Sequence, residues 1–168
     1  MSPVQSPALP PALPPATSLP PVSDLTAHLG FWLRLVSNHV SHAFAGKLAA
    51  TEVTVAEWSL MRALYDKAPM PPSRIADDMG LTRGAITKLA DRLIAKALIV
   101  RAASPDDGRA QTLALTERGT ALVPALAALA DLNDAEFFDA LTPDERASLL
   151  RLLKGLAERG QMTATPIE

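Results

Sequence analysis

The sequence contains no cysteine, few aromatic residues and no long apolar run, and each absence excludes a class of protein. Without cysteine the chain can form neither disulfides nor thiolate metal sites, which fits a reducing compartment. The lack of an apolar run of about 18 residues predicts no membrane span. The N-terminus also lacks the basic and then apolar layout of a secretion signal, so we expect a cytoplasmic protein with no membrane partner.

Charged residues are nearly balanced overall but unevenly distributed along the chain. The formal net charge is −2, unlike that of a protein that coats nucleic acid in bulk. Residues 74–109 contain seven basic and five acidic side chains, whereas residues 131–145 contain six acidic side chains and no basic one. We therefore expect an anionic partner, if there is one, to bind the 74–109 segment.

The abundant residues predict a mainly helical protein with a separate N-terminal tail. Hydrophobic residues make up 48% of the chain and aromatic residues 4%, so the core is built from aliphatic side chains. Residues 1–22 hold eight of the 15 prolines, which excludes a helix interior and predicts a disordered, proline-rich tail. A docking peptide for a proline-binding domain is the alternative.

Apolar residues at spacings of three and four predict helices at both ends of the folded part. A long amphipathic helix is predicted from Leu25, within residues 23–50, and helices are predicted over residues 117–160. Pro124 is expected to kink its helix or loosen a turn. These apolar stripes exceed the needs of one small domain, so we expect a dimerisation region; a monomer that buries them internally is the alternative.

Residues 54–116 show the pattern of a winged helix-turn-helix. Thr54 begins a helix through a capping box, and a short helix is predicted over 72–79, with Gly80 as its stop. Thr82 is the predicted N-cap of the next helix. Two β-prone runs within residues 98–115, joined by a polar loop that contains glycine, predict a hairpin. The predicted fold class is therefore mainly α with a small β-hairpin wing.

The segment "SRIADDMGLTRGAITKLADRLIAKALIVRAASPDDGRAQTLALTERG" resembles the MarR family of bacterial winged-helix transcription regulators. The motifs that carry the resemblance are Ile75-Ala76, Gly84-Ala85-Ile86-Thr87-Lys88, Asp91-Arg92-Leu93, Arg101, Asp107-x-Arg109 and Leu115-Thr116-x-x-Gly119. The resemblance implies a homodimer whose interface is formed by helices from both ends of the chain. It also implies that the helix after the turn enters the major groove of DNA and that the wing reaches the minor groove.

Three features depart from the family pattern: Ala97, Pro124 and the proline-rich N-terminal tail. The family usually has glycine where this chain has Ala97, between the recognition helix and the first wing strand. If the backbone there needs a positive φ, alanine costs about 1 kcal/mol.

The predicted DNA contacts lie on the helix after the turn and on the hairpin loop: Thr82, Arg83, Gly84, Thr87, Lys88, Arg92, Asp107 and Arg109. The free N–H groups of a helix N-terminus favour a phosphate, and Arg83 and Lys88 can pair with phosphates or guanine edges. Arg109 is expected to enter a narrow minor groove while Asp107 holds its guanidinium. Taken singly, each basic residue has a solvated surface charge as its alternative.

The resemblance also implies a pocket for a small aromatic or phenolic effector, since many family members are repressors released by such molecules. Its candidate lining residues are Trp32, His39, Trp58, Met61 and Arg62. Core packing is the alternative for the two tryptophans and the methionine. His39 and His42 could present two metal ligands, but no third ligand is evident, so we predict no metal and no resident cofactor.

Taken together, the sequence predicts a homodimeric, ligand-responsive repressor that binds double-stranded DNA at a pseudo-palindromic operator. The alternative is a winged-helix module that binds protein and not DNA. No nucleophile–base pair, metal cluster or glycine-rich phosphate loop is evident in the sequence, so we do not predict an enzyme.

Overall fold

The structure, a computed structural model, describes residues 22–103 and 111–162, which fall into two units that meet in sequence between Leu35 and Val36. Its helices are Leu29–Leu48 (α1), Val55–Leu64 (α2), Pro72–Met79 (α3), Arg83–Ala95 (α4), Glu117–Phe138 (α5) and Pro143–Arg159 (α6). Its strands are Ile99–Ala103 (β1) and Gln111–Leu115 (β2). The predicted fold class, mainly helical with one small hairpin, is confirmed.

The start of the first helix differs from the prediction. A 3-10 turn occupies Leu25–Ala27, and α1 begins only at Leu29. The apolar spacing does not distinguish this turn from an α-helix, but His28 has extended backbone angles that interrupt the helical run. The indole N–H of Trp32 donates to the carbonyl of Thr26 at 2.8 Å and holds the turn in place.

The predicted helix boundaries around the turn are confirmed. Thr54 and Glu57 form the capping box of α2, and Thr82 caps α4 by accepting from the N–H of Ala85. Gly80 ends α3 with a φ of 65°, which glycine adopts without a steric penalty. Local side chain–backbone chemistry therefore fixes the position of α4 along the chain.

The hairpin is antiparallel, and its base is tied to the helical part. β1 pairs with β2 in a register that places Ile99 opposite Leu115 and Ala103 opposite Gln111. Met70, in the connection between α2 and α3, exchanges two backbone hydrogen bonds with Leu113. The linking residues 104–110 lie outside the described part of the chain.

The core of the second unit fixes which side of α4 faces solvent. Side chains of α2, α3, α4, the hairpin and α5 meet in one apolar cluster. Ile86 and Leu93 of α4 are fully buried in it, and Leu89 is nearly so. Because a helix repeats every 3.6 residues, the opposite side of α4 must face outward.

Ala97 has a φ of 55°, so the left-handed backbone considered from the sequence is present. Replacing Ala97 with glycine is expected to raise the free energy of unfolding by about 1 kcal/mol, because glycine has no Cβ to oppose this conformation. Urea denaturation measures the change. Ala121→Gly, on the exposed side of α5, is the matched control and should lower stability by about 1 kcal/mol. Equal losses in both variants would contradict the prediction.

Candidate nucleic-acid interface

The outward side of α4 is polar and carries most of the predicted DNA contacts. Six α4 residues on this side and its N-cap are all exposed: Thr82, Arg83, Gly84, Thr87, Lys88, Asp91 and Arg92. The arrangement agrees with the face predicted from the sequence. This side of α4 is therefore accessible to a partner, while the opposite side of the helix is packed in the apolar core.

Hydroxyl groups at the start of α4 are partly occupied within the helix. Thr82 Oγ1 accepts from the N–H of Ala85 at 3.1 Å, and Thr87 Oγ1 donates to the carbonyl of Arg83 at 2.9 Å. The Thr87 hydroxyl therefore uses its proton within α4, and its oxygen can still accept a hydrogen bond. A Cβ placed on Gly84 would meet only Thr82 Oγ1, at 4.0 Å, so the backbone at Gly84 is open to close approach.

The cations of the 74–109 segment separate into paired and available groups. Arg74 pairs with Asp78, Lys96 with Glu57, and Arg101 with Asp91. Within residues 22–103 and 111–162, no acidic group lies within 4.0 Å of the three cations on the outward side of α4, namely Arg83, Lys88 and Arg92. The charge count made from sequence therefore includes cations that are neutralised internally, and the unpaired cations among the described residues of this segment lie on α4.

Asp91 and Arg92 are adjacent in sequence but have different surroundings. Asp91 Oδ1 accepts from the Arg101 guanidinium at 2.7 Å and so links α4 to β1. Arg92 instead contributes to a cavity of about 560 Å³, together with residues of α1 and α2. The lining residues are Asn38, Ser41, His42, Ala45, Thr54, Val55, Ala56 and Arg92.

An ion pair between the buried Glu57 of α2 and the half-buried Lys96 at the end of α4 was not predicted from the sequence. Glu57 is 1% exposed, and its Oε2 accepts from Lys96 Nζ at 2.7 Å and from the N–H of Thr54 at 2.9 Å. The capping box identifies Glu57, but no local pattern connects it to a lysine 39 residues away. This pair forms only when the tertiary fold does.

The Glu57 carboxyl is held in its charged form. Burial raises its pKa, but hydrogen bonds from Lys96 and Thr54 and attraction to the Lys96 charge outweigh burial, so the pKa is lowered from its ordinary value. A lowered folded-state pKa means that this carboxylate stabilises the fold above its unfolded-state pKa. That stabilisation is lost as the pH falls through the folded-state pKa.

The five candidate effector residues occupy different environments. Met61 is fully buried in the core and Trp58 is half-buried against it. The Arg62 guanidinium lies 5.9 Å from the centre of the Tyr65 ring, and His39 meets the ring of Phe137 edge-on at 5.8 Å. Trp32 belongs to the first unit and is 48% exposed. The cavity beside Arg92 is lined by other residues, so the pocket assignment stays a prediction.

Two predicted DNA contacts, Asp107 and Arg109, lie outside the described residues, as does most of the predicted proline-rich tail. Among the described residues, no group of three or more His, Cys, Asp or Glu side chains could hold a metal ion. None of the helices in residues 22–103 and 111–162 combines the length and apolar character needed to cross a bilayer.

Comparisons with known proteins agree with this geometry. Residues 53–110 match the MarR family model. A putative transcriptional regulatory protein for the hcr operon of Thauera aromatica is 29% identical over 140 residues, which cover 83% of this chain and 84% of the relative. A mutant MarR from E. coli complexed with operator DNA is 27% identical with a TM-score of 0.71, and the match covers 80% of this chain and 99% of that one.

A ligand-bound regulator shares the fold as well. CouR from Rhodococcus jostii RHA1 bound to p-coumaroyl-CoA is 26% identical with a TM-score of 0.71, and the match covers 81% of this chain and 96% of that one. The family model spans the helix-turn-helix and the first strand of the wing, and the two structural matches cover 80% and 81% of this chain. With a MarR family match over residues 53–110 and similar regulators that align with about four-fifths of its length, this chain is similar to the MarR-type winged-helix transcriptional regulators.

Proposed function

We propose that the protein is a sequence-specific, double-stranded DNA-binding regulator in which residues 54–116 form the DNA-binding domain. The observation that carries the proposal is the outward side of α4, where Arg83, Lys88 and Arg92 have no acidic partner among the described residues. This helix would lie in the major groove, and Asp107 and Arg109 would reach the adjacent minor groove. Binding of operator DNA by the similar MarR of E. coli supports this arrangement.

We propose a homodimer, with residues 23–50 and 117–160 as the dimerisation segments. α6 exposes five leucines, each 36–53% accessible: Leu149, Leu150, Leu152, Leu153 and Leu156. A row of this kind is unusual on a monomer and typical of an interface. A two-fold pair would hold two recognition helices about 34 Å apart, which matches successive major grooves on one face of a pseudo-palindromic operator.

The proposed regulation is release of a repressor by a small aromatic or phenolic effector in the cytoplasm. The binding of p-coumaroyl-CoA by the similar CouR supports a ligand of this class. The cavity beside Arg92 adjoins both α1 and α4, so a molecule there could favour one spacing of the two recognition helices over another. A ligand that prefers the non-binding spacing lowers DNA affinity by its differential affinity for the two states.

Footprinting of the purified protein on the DNA flanking its own gene tests the proposal. A protected palindromic site, with affinity that falls steeply as salt rises, is expected because phosphate contacts release counterions. Absence of protection at low salt would overturn the proposal in favour of a winged-helix module that binds protein.

A further inference from the structure

We propose that Lys96 and Glu57 are positioning residues that hold the C-terminal end of α4 at the angle required for DNA binding, without contacting DNA. The inference rests on the proposed function. It assigns a role to the ion pair of Lys96 and Glu57, neither of which is among the proposed DNA contacts. It is carried by three contacts of one ammonium group and its carboxylate partner.

Lys96 joins segments that are far apart in sequence. It is the C-cap residue of α4, and its ammonium donates to Glu57 Oε2 at 2.7 Å and to the carbonyl of Glu52 at 2.6 Å. Glu52 follows the turn after α1 and has a φ of 58°, so the lysine reaches an irregular junction and not a helix flank. The carbonyl of Lys96 accepts from Arg118 of α5 at 3.3 Å.

The pair is unlike a surface ion pair because one partner is buried. A buried carboxylate that loses its cation pays the cost of desolvation without compensation, so α4 cannot move away from α2 at this end while Glu57 stays charged. Glu57 also accepts from the N–H of Thr54, which fixes the carboxylate to the start of α2. The lysine therefore contacts an acceptor whose own position is determined.

The conformation of Ala97, the next residue, explains why the end of α4 needs to be held in place. Ala97 turns the chain through a left-handed conformation directly after Lys96, and its carbonyl accepts from Thr116 Oγ1 at 2.9 Å. A strained residue at the end of a helix invites fraying, so contacts on either side are needed to keep the last turn of α4 formed. Arg92, a proposed DNA contact, lies in that last turn.

Glu57→Gln removes a negative charge and Lys96→Met removes a positive one, so the two variants distinguish a positioning role from a direct electrostatic effect on DNA. Glu57→Gln removes a negative charge and keeps an N3 residue that can complete the capping box, so direct electrostatics predicts tighter DNA binding. Positioning predicts weaker binding, by at least threefold for Glu57→Gln and about tenfold for Lys96→Met. The double variant should lose no more than Lys96→Met alone, because both substitutions remove one interaction.

Operator affinity is measured for the full chain by fluorescence anisotropy over a range of salt concentrations, with circular dichroism to establish the folded fraction. The slope of affinity against salt should stay unchanged, since a lost phosphate contact would reduce it by about 0.9 for each contact. If Lys96→Met leaves Glu57 unpaired and does not fold, the double variant carries the test. Amide hydrogen exchange in the last turn of α4 should be faster in that variant.

The possible results distinguish a failure of the positioning role from a failure of the proposed DNA-binding function. Wild-type protein that binds no DNA would overturn both. Wild-type binding with a tighter Glu57→Gln variant, or with a reduced salt slope in Lys96→Met, would overturn the inference and leave the proposed function intact. Additive losses in the double variant would also overturn it.

Discussion

Lys88→Glu is expected to weaken binding to the operator about a hundredfold. Lys88 lies on the outward side of α4, is exposed, and has no acidic partner within 4.0 Å among the described residues. A carboxylate in its place would remove one attraction to DNA and add a repulsion with the phosphates. In the proposed homodimer both subunits carry the substitution, so the loss of binding free energy occurs once at each half-site.

The size of this effect follows from the cost of one contact. A specific contact to a base edge contributes about 1–3 kcal/mol, and a hundredfold loss corresponds to about 2.8 kcal/mol over two subunits. Gel-shift titration at fixed salt measures it. The fold should be unaffected, because the Lys88 side chain makes no hydrogen bond or ion pair with other described residues.

A matched charge reversal shows whether the loss is local. Lys67→Glu changes the net charge by the same amount at an exposed position between α2 and α3, which the proposed function does not place on DNA. It should weaken binding far less than Lys88→Glu does. Equal losses would indicate that only net charge matters, and an unchanged affinity of Lys88→Glu would remove α4 from the interface.

Arg109→Ala is expected to weaken operator binding more than tenfold without dissociating or unfolding the dimer. The expectation rests on the motif Asp107-x-Arg109 and on the attraction of an extended arginine to the narrow minor groove of A·T-rich DNA. Gel-shift titration at fixed salt gives the affinity, and size-exclusion chromatography gives the oligomeric state.

A conservative variant tests the geometry of that contact. Arg109→Lys keeps the charge but loses the planar, five-donor guanidinium, so its affinity should lie between those of wild type and Arg109→Ala. Substitution of G·C for A·T pairs in the flanking minor groove should reduce the difference between the variants, because a wider groove attracts a cation less. Binding of Arg109→Ala at wild-type strength would refute a wing contact.

The features that sequence predicted well are determined within a few residues. The capping box of Thr54 and the cap at Thr82 depend on side chain–backbone hydrogen bonds between near neighbours, and the stop at Gly80 depends on a left-handed backbone. The structure has all three. The polar side of α4 follows from the helical repeat. The start of α1 was placed too early, because apolar spacing alone does not distinguish a 3-10 turn from the first turn of an α-helix.

The features that sequence did not predict depend on distant residues. The partner of Glu57 is 39 positions away, and nothing near Lys96 indicates that its charge is used inside the protein. The pairing of Arg101 with Asp91 likewise needs the strand to fold back beside the helix. A count of charges along the chain therefore does not show which cations are paired with acidic groups inside the protein.

The two backbone hydrogen bonds between Met70 and Leu113 have a consequence for how such a reader can change its target. They join the stem of the hairpin to the connection between α2 and α3, while the ion pair of Arg101 with Asp91 joins the same stem to α4. In the proposed homodimer, a different distance between half-operators would then require the two subunits to shift relative to each other, because the hairpin stem and α4 would not adjust separately.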